Sequence, residues 1–427
     1  MCSILGWNSA IDPKHKPLGA IVDMILRGSE RGRDGYGITM TGIRGRDPED
    51  ARTLQALSAP DDLLIEIALR ARRAVMNFRA TPTTEAESRM GNLQPYDGIV
   101  HNGTIANDMD LGEGHEIDSM VLPDLLKGVP WSEIPEALGK IKGSYALAWF
   151  IGSDLILATN YKPIYVHTND TTYTLFASTP EMLPPGSFPI KPYTVNKISP
   201  WGEWETWELP RSQGEGVVLA ASSGLDSTVA AYLLKEQGHD VTLAHFSYGC
   251  KAETKELIMI REIAKHGGFR IQQIDLPRIM KGSIIDGEIC DEGIKGTEYA
   301  EDWVSARNLL MLSCLTAYAE THGIGRIAFG GNLEEAGAYP DNEQEFGRLF
   351  NNLLPYSTQN GVKIELLQPL AHLMKHEIVR EGVRVGAPLD LTWSCYHGRE
   401  KHCGSCGPCF MRKTAFERNG LKDPVMS

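Results

Sequence analysis

Four cysteines near the end of the sequence have the spacing of a metal site. The motif Cys-x-x-Cys-x-x-Cys spans Cys403, Cys406 and Cys409, and seven residues separate Cys395 from it. Because four thiolates can surround one ion tetrahedrally, the pattern predicts a closed structural zinc site. A redox relay and a DNA-reading zinc finger are the alternatives. The upstream fourth cysteine disfavours the relay, and the lack of a basic helix after the last cysteine disfavours the finger.

A run of small residues, Ser222–Ser227, could bind phosphate groups. It reads Ser-Ser-Gly-Leu-Asp-Ser, directly follows the apolar run Val217–Ala221 and opens a helical pattern. Small side chains let backbone N–H groups approach phosphate oxygens, and a helix N-terminus favours anions. Serine–glycine turns are also common helix caps, so the run by itself is an ambiguous signal. Neither the GxxxxGK[ST] loop nor the GxGxxG loop occurs in the sequence.

Cys2 is a candidate nucleophile. It becomes the first residue if Met1 is removed, and a side chain as small as that of cysteine permits this removal. An N-terminal cysteine combines a thiol with an α-amine whose pKa is typically about 8, and this amine can take the thiol proton. Any protein can begin Met-Cys, so Cys2 gains meaning only with further matching residues.

Composition limits the class of protein. The 427 residues carry a net charge of −13, which disfavours a dedicated nucleic-acid-binding module without excluding a local basic cleft. No run approaches the roughly 20 apolar residues of a membrane helix, and the N-terminus lacks a signal-peptide pattern. The clustered cysteines favour a reducing compartment. We therefore expect a cytoplasmic enzyme with no membrane partner.

The patterning changes once along the chain. Short β-rich runs interrupted by helical patterns at 18–27 and 60–72 fill the first part. The stretch 184–214 holds several prolines and three tryptophans without periodicity, so it is interpreted as a domain connection. From Gly216, strands and helices alternate, which predicts a parallel sheet with helices on both faces. The predicted domains of this two-domain α/β protein are residues 1–205 and 206–427.

Four segments of the first half resemble the class II glutamine amidotransferases in order and spacing: Arg31–Gly37, Asn77–Pro82, Asn92–Tyr96 and His101–Asn107. The resemblance implies an Ntn-hydrolase fold, an αββα sandwich, with Cys2 as the nucleophile. Asn102 and the Gly103 N–H would form the oxyanion hole. Arg79 would bind the α-carboxylate of glutamine and Asp118 its α-ammonium group. Since the whole set is present, an active glutaminase is expected.

The second half resembles another family. Ser222, Ser223, Gly224, Leu225, Asp226 and Ser227 are similar to the SGGxDS loop of the PP-loop ATP pyrophosphatases (adenine-nucleotide α-hydrolases), which bind ATP and adenylate a substrate. More specifically, the region from Val217 to Gly420 resembles the 7-cyano-7-deazaguanine synthases (QueC). Besides the spaced cysteines, the matching segments are Phe246–Gly249, Ala306–Asn308, Tyr339–Asp341, Lys375–Ile378 and Thr392–Tyr396.

This resemblance implies ATP and Mg²⁺ at the loop and Zn²⁺ on the four cysteines. QueC enzymes adenylate the carboxylate of 7-carboxy-7-deazaguanine, form the amide with ammonia and dehydrate it to the nitrile. Arg307 is then expected to clamp a phosphate or carboxylate, and Asp341 to accept hydrogen bonds from the guanine-like edge. Two positions depart from the pattern. Ser223 replaces the first glycine of the loop and is strained if its φ is positive, and Cys250 stands where glutamine is typical.

Three functions remain open. The first is a glutamine-dependent synthase acting on a free deazaguanine base, with glutamine, ATP and the base as partners and with assembly as a homodimer. The second is amidine formation on 7-cyano-7-deazaguanine, free or within tRNA or DNA. The third is a defence protein that conjugates a deazaguanine to a partner protein. An intact ATP loop favours the first, and a fused glutaminase favours the first two, since ammonia is mostly protonated at neutral pH and local supply raises its concentration.

Overall fold

The chain forms two compact units, Met1–Arg211 and Ser212–Ser427. The computed structural model describes residues 2–10, 17–43, 51–80, 89–112, 114–169, 172–289, 303–336 and 339–426. Outside these residues lie Thr81 and Pro82 of the amidotransferase-like segment Asn77–Pro82, as well as Cys290 and Asp302.

Two antiparallel sheets build the first unit. One contains β1 (Ser3–Ser9), β2 (Gly35–Ile43), β3 (Arg52–Ala56), β4 (Ala71–Arg79), β8 (Tyr165–Thr168), β9 (Tyr173–Ala177) and β10 (Phe188–Pro189). The other contains β5 (Val100–Ile105), β6 (Gly143–Ile151), β7 (Asp154–Thr159), β11 (Thr194–Ile198) and β12 (Trp204–Glu208). The strand orders are β10-β8-β9-β1-β4-β2-β3 and β12-β11-β7-β6-β5.

The apolar clusters show how the layers of the first unit stack. One cluster joins inward side chains of both sheets, among them Val75 of β4 and Leu157 of β7. A second lies between the first sheet and helices α1 (Leu18–Arg31) and α2 (Asp62–Leu69). A third lies between the second sheet and helices α4 (Val121–Leu126) and α5 (Ile134–Gly139), while the short α3 (Asp108–Leu111) lies nearby in sequence. Helix, sheet, sheet and helix thus follow one another, which confirms the predicted αββα sandwich.

The interpretation of 184–214 as a simple connection was wrong. β11 pairs with β7 from Thr194↔Thr159 to Ile198↔Leu155, and β12 pairs with β11, so this stretch completes the second sheet. The first unit consequently extends beyond residue 205, to Arg211. Both strands are five residues long and lack apolar alternation: β12 is a largely exposed edge strand, and the buried β11 carries polar residues such as Asn196 and Lys197, so the pattern gave no strand signal here.

A parallel sheet forms the centre of the second unit. Its strands are β14 (Val217–Ala220), β15 (Val241–Ser247), β16 (Arg270–Asp275), β17 (Arg326–Ala328) and β19 (Glu365–Leu367). They are ordered β16-β15-β14-β17-β19, and every neighbouring pair is parallel. A separate two-stranded ladder pairs β13 (Ser212–Gln213) with β18 (Val362–Lys363). The parallel sheet agrees with the strand–helix alternation of the sequence.

Helices cover both faces of this sheet, as β–α alternation requires. One face packs on α6 (Leu225–Glu236), α7 (Glu253–Gly267), α11 (Lys375–Arg384) and α12 (Gly407–Arg418). The other face packs on α8 (Arg307–Thr321) and α10 (Gln344–Ser357), while the short α9 (Leu333–Ala336) follows β17. Among the helices that the structure describes, none has both the length and the apolarity needed to span a membrane.

Candidate functional site

A cleft of the second unit opens at the carboxyl ends of its central strands. Its cavity volume is about 210 Å³. The segments that follow the neighbouring strands β14 and β17 both reach it, which is the usual position of ligands on an open parallel sheet. The lining residues used below are Ser222, Gly224, Asp226, Ser227, Tyr248, Glu256, Arg307, Glu335, Lys375, Trp393, Ser394 and Tyr396.

The loop between β14 and α6 is held in a strained conformation. Ser223 has φ +66°, a left-handed value that costs a residue with a Cβ free energy, so the strain foreseen from its replacement of glycine is present. The Ser223 side chain is buried, and its hydroxyl has no hydrogen-bond partner among the described residues. The Ser223 carbonyl accepts a hydrogen bond from the Trp393 N–H at 2.9 Å, which fixes the loop against the C-terminal segment.

Hydroxyl groups fix the rest of the loop. The Gly224 N–H donates to Ser222 Oγ at 3.3 Å, and Ser227 Oγ donates to the Gly224 carbonyl at 3.3 Å. Gly330, after β17, lies against the start of α6, since a Cβ there would be 3.2 Å from the Ser227 nitrogen. The loop and the first turn of α6 therefore present backbone N–H groups and a helix N-terminus to the cleft.

A buried lysine lies beside the loop, and sequence reasoning gave it no role. The Lys375 ammonium contacts the Asp226 carboxylate and lies 3.3 Å from Glu335 Oε1. Burial alone would lower the pKa of Lys375, but the two carboxylates outweigh burial and raise it, so Lys375 stays charged. Asn332, fully buried, also donates to Asp226. The cleft thus holds a buried cation next to the Ser222–Ser227 loop.

Arg307 and Asp341, the predicted substrate residues, are neighbours but are not equally placed. Arg307 lines the cleft at the start of α8. Burial lowers the pKa of Arg307, but the surrounding Tyr248, Tyr396 and Asp341 outweigh this, so the guanidinium remains a cation. Asp341 is not among the residues lining the cleft; its charge faces Arg307, while burial raises its pKa.

The four cysteines come together as the spacing predicts. The sulfur atoms of Cys395, Cys403, Cys406 and Cys409 all lie within 4.8 Å of one another. Cys395, Cys406 and Cys409 are buried, and the backbone N–H groups of residues 405 and 406 point at the Cys403 sulfur. A thiolate set of this kind fits one tetrahedral zinc ion.

The cysteine cluster and the cleft share one segment. Arg412, on α12, is fully buried and pairs with Asp423 at 2.8 Å. Its guanidinium also donates to the Leu389 carbonyl at 2.9 Å and contacts the Thr392 hydroxyl. Residues 389–396 are thereby fixed between the cysteines and the Ser222–Ser227 loop. The cysteine-bearing helix therefore positions one wall of the cleft.

In the first unit, Cys2 immediately precedes β1 and faces the end of β4. Its sulfur accepts a hydrogen bond from the Ala80 N–H at 3.4 Å. Arg79, the last residue of β4, is buried, and its Nη1 donates to the Asn92 carbonyl at 2.9 Å. The pairing of β1 with β4, with Ser3 opposite Phe78, brings Cys2 and Arg79 to the same end of the sheet.

A serine that the sequence did not single out connects the predicted oxyanion residue to β1. The Asn102 amide donates to Ser178 Oγ at 3.3 Å, and Ser178 Oγ accepts from the Ile4 N–H at 2.9 Å. Gly103, next to Asn102 on β5, lies so close to β6 that a Cβ would be 1.9 Å from the Ser144 carbonyl oxygen. Only glycine fits at that point of the ladder.

Both carboxylate oxygens of Asp118 accept hydrogen bonds from neighbouring backbone groups. Its Oδ2 accepts from the Ile105 N–H at 2.7 Å, and its Oδ1 accepts from the Ser119 N–H at 2.7 Å. The Ser119 hydroxyl lies 2.7 Å from Nδ1 of His101, a residue whose pKa is lowered by burial and whose ring is therefore neutral at pH 7. A carboxylate has about four acceptor positions, so Asp118 retains capacity for another donor.

The fold and the site are those of an α/β enzyme built from two units. Its second unit has a cleft of the type that binds nucleotides and a cluster of four cysteines that could hold a metal ion. The family described as Queuosine biosynthesis protein QueC matches residues 216–420. The 7-cyano-7-deazaguanine synthase of Sulfolobus acidocaldarius is 39% identical over 463 residues, covering 100% of this chain and 99% of that protein. The chain belongs to the 7-cyano-7-deazaguanine synthase family.

Other relatives match only part of the chain. The 7-cyano-7-deazaguanine synthase of Methanothrix thermoacetophila is 40% identical over 216 residues, which is 49% of this chain and 96% of that protein. Among solved structures, glutamine phosphoribosylpyrophosphate amidotransferase from B. subtilis, complexed with ADP and GMP, is 14% identical over 95% of each chain, with a TM-score of 0.38.

Proposed function

We propose that this chain is a glutamine- and ATP-dependent ligase that converts 7-carboxy-7-deazaguanine to 7-cyano-7-deazaguanine. The observation that carries the proposal is the cleft in which the Ser222–Ser227 loop, Lys375 and Arg307 meet, in a chain whose full-length relative bears the name of that synthase. The expected substrates are small molecules: glutamine, ATP and the deazaguanine acid.

The phosphate end of the cleft is proposed to bind ATP. The N–H groups of the loop and the first turn of α6 would bind phosphate oxygens, with Lys375 supplying a cation. The Asp226 and Glu335 carboxylates face the same end, and their oxygens are the ligand type that Mg²⁺ prefers. Bound Mg²⁺ would neutralise charge on the departing pyrophosphate. Arg307 would hold the carboxylate of the substrate toward the α-phosphate.

The chemistry has two ATP-dependent parts. The substrate carboxylate attacks the α-phosphorus of ATP and pyrophosphate leaves, giving an acyl adenylate. Ammonia then attacks the acyl carbon and AMP leaves, giving the amide. A second adenylation, on the amide oxygen, allows loss of AMP and protons to give the nitrile. Both adenylations are assigned to the Ser222–Ser227 loop, the one loop of this type among the described residues that line the cleft.

The first unit is proposed to supply the ammonia. With Met1 removed, the Cys2 thiolate would attack the amide carbon of glutamine, and the Asn102 amide and Gly103 N–H would bind the oxyanion. Arg79 and Asp118 would hold the two charged ends of the amino acid. The C–N bond would then break, with the Cys2 α-ammonium group returning a proton to the departing ammonia, and water would hydrolyse the resulting thioester to glutamate. Zinc on the four cysteines would be structural, since all four positions of a tetrahedral site are filled by protein.

A pyrophosphate-exchange assay tests whether the acid or the nitrile is the substrate that is adenylated. The full chain is incubated with ATP, Mg²⁺, labelled pyrophosphate and either the acid or the nitrile, and exchange of label into ATP is measured. Exchange that depends on 7-carboxy-7-deazaguanine is expected. Absence of exchange with the acid, together with glutamine-dependent consumption of the nitrile without ATP, would refute the proposal in favour of amidine formation.

A further inference from the structure

The cleft contains one carboxyl group that neither ATP binding nor the fold employs. Glu256 lies in the first turn of α7, lines the cleft and is half-buried. Its hydrogen bond to the described residues is with the Cys250 thiol, a long contact of 3.9 Å from Sγ to Oε2. Besides this long contact, the charge of Arg307 compensates in part for burial, but the pKa of Glu256 is still raised, so a functional reason is expected at this position.

Glu253, one turn earlier on the same helix, is a carboxylate with a structural role and provides a comparison for Glu256. Its oxygens accept hydrogen bonds from the Ser247 hydroxyl at 2.5 Å, the Gly249 N–H at 2.6 Å and the Tyr248 N–H at 3.2 Å. Glu253 thereby fixes the turn after β15, and these bonds lower its pKa against the effect of burial. Glu256 has no such set of donors, and its carboxyl faces the cleft instead.

Burial brings the pKa of Glu256 close to physiological pH. Burial raises the pKa of Glu256 to about 7, with Glu253 adding to the rise and Arg307 opposing it. Of the other groups that face it, Cys250 has its pKa raised to about 12 and Tyr248 has its pKa raised further, both by burial, so both are neutral at pH 7. Arg307, on α8, stays charged. Among these groups, Glu256 is the one that changes protonation near pH 7.

We infer that Glu256 is the general base that takes a proton from the attacking nitrogen during amide formation in this cleft. The inference deepens the proposed function and rests on it. Glu256 shares the cleft with the loop that would hold the adenylate and with Arg307, which would hold the acyl group. An ammonia molecule between Glu256 and the acyl carbon would have its lone pair toward carbon and an N–H toward the carboxylate.

The step balances without another reactant. The lone pair of ammonia forms the C–N bond, and the C–O bond to AMP breaks with its electron pair leaving on AMP. The nitrogen carries one proton too many after attack, and the Glu256 carboxylate accepts it. The carboxylic acid then returns the proton to solvent before the next turnover. A base with a pKa close to the working pH suits this cycle, because it both accepts and releases protons readily.

Two rates separate this step from adenylation. Pyrophosphate exchange with the acid reports adenylation, which needs no base on nitrogen. Amide formation is measured by rapid quench after mixing enzyme, preincubated with ATP, Mg²⁺ and the acid, with ammonium chloride. Total ammonium is adjusted at each pH so that free ammonia stays constant. Supplying ammonia directly makes the experiment independent of the glutaminase.

In E256Q we expect exchange within about threefold of wild type and amide formation slower by on the order of a hundredfold or more. The wild-type rate of amide formation should rise with pH through about 7 as Glu256 loses its proton, and E256Q should lack this rise. E256D, which keeps a carboxylate with shorter reach, should recover part of the rate. E262Q, an exposed position on the same helix, is the matched control and should behave as wild type.

Different failures have different meanings. Amide formation in E256Q at the wild-type rate, or with the wild-type pH dependence, would overturn the general base. Equal loss of exchange and amide formation in a folded E256Q would also overturn it, because Glu256 would then act in adenylation. Absence of acid-dependent exchange in the wild type would refute the proposed function itself and the inference with it.

Discussion

Ser223 stands where the loop of the related proteins typically has glycine, and its backbone is strained. A left-handed φ costs a residue with a side chain about 1–2 kcal/mol. Its hydroxyl is buried without a partner among the described residues, which adds a desolvation cost. Strain and an unpaired polar group in a loop that borders a cleft are typical of a functional position. Ser223 itself is not among the residues that line the cleft, although its neighbours Ser222 and Gly224 are.

S223G should therefore stabilise the second unit. Removing the strain and the buried hydroxyl should outweigh the chain entropy of glycine, for a net gain of about 1 kcal/mol in the free energy of unfolding. Urea denaturation, with hydrogen exchange in α6 to report on the second unit, measures this. S222G is the control and should destabilise, because Ser222 Oγ accepts the Gly224 N–H. A less stable S223G would show that the loop strain is not relieved by glycine.

Single residues were predictable to the extent that their partners lie close in sequence. The cysteine spacing and the small-residue loop are local, and the cysteine sulfurs do come together. The ion pairs of Lys375 join residues 149 and 40 positions apart, so no local pattern could reveal them. The same holds for Ser178, whose hydroxyl reaches Ile4 across 174 positions.

At the scale of elements, the contact of β5 with β6 fixes the predicted oxyanion hole. Gly103 and Ser144 approach too closely for any side chain at position 103. A methyl group there must push β5 from β6 and displace both Asn102 and the Gly103 N–H. Preorganised donors lose their effect when displaced by a fraction of an ångström, and losing one donor typically costs about 10²–10³ in rate.

G103A should accordingly lower glutamine hydrolysis by on the order of a hundredfold or more. Activity with added ammonium should be retained, because the second unit is unchanged. G91A is the matched control, since a Cβ at Gly91 would meet nothing within 4 Å. Glutamate release measures the first activity, and nitrile formation measures the second. Glutamine hydrolysis by G103A at the wild-type rate would show that the β5–β6 contact does not position the oxyanion hole.

Helix α12 holds the wall of the cleft through one buried ion pair. R412M would leave Asp423 buried without its partner and would free residues 389–394. Breaking a buried pair from one side typically costs about 3–5 kcal/mol. We expect a loss of that size in urea denaturation, with faster hydrogen exchange around Trp393.

K413M, at the next position of α12, is the matched control for R412M. Lys413 pairs with Glu417 at 3.9 Å on the exposed side of the helix, and exposed pairs contribute little. The unfolding transition of K413M should match that of the wild type. Equal stability of R412M and K413M would mean that the buried pair does not support the wall of the cleft.

At the scale of the whole molecule, the two-unit α/β architecture was predictable from the sequence because the two units differ in the order of their predicted strands and helices. Alternation of strands with helices marked the second unit, and β-rich runs marked the first. The end of the first unit was missed because β11 and β12 are short, and β12 is largely exposed. Their place in the sheet is set by pairing with β7, 30 or more residues earlier, which a local pattern cannot show.

The proposed function requires that a single chain transfer nitrogen from the amide of glutamine to the deazaguanine product. The direct measurement is mass spectrometry of 7-carboxy-7-deazaguanine incubated with enzyme, ATP, Mg²⁺ and glutamine carrying ¹⁵N in its amide. C2A is the test variant, and C314A, a cysteine of α8, is the matched control.

We expect a nitrile carrying one ¹⁵N with wild type and C314A, and none with C2A. C2A should still form the unlabelled nitrile when ammonium chloride is added, because its second unit is intact. Labelled nitrile from C2A, or glutamine hydrolysis by the wild type that leaves the acid unchanged, would contradict the central claim.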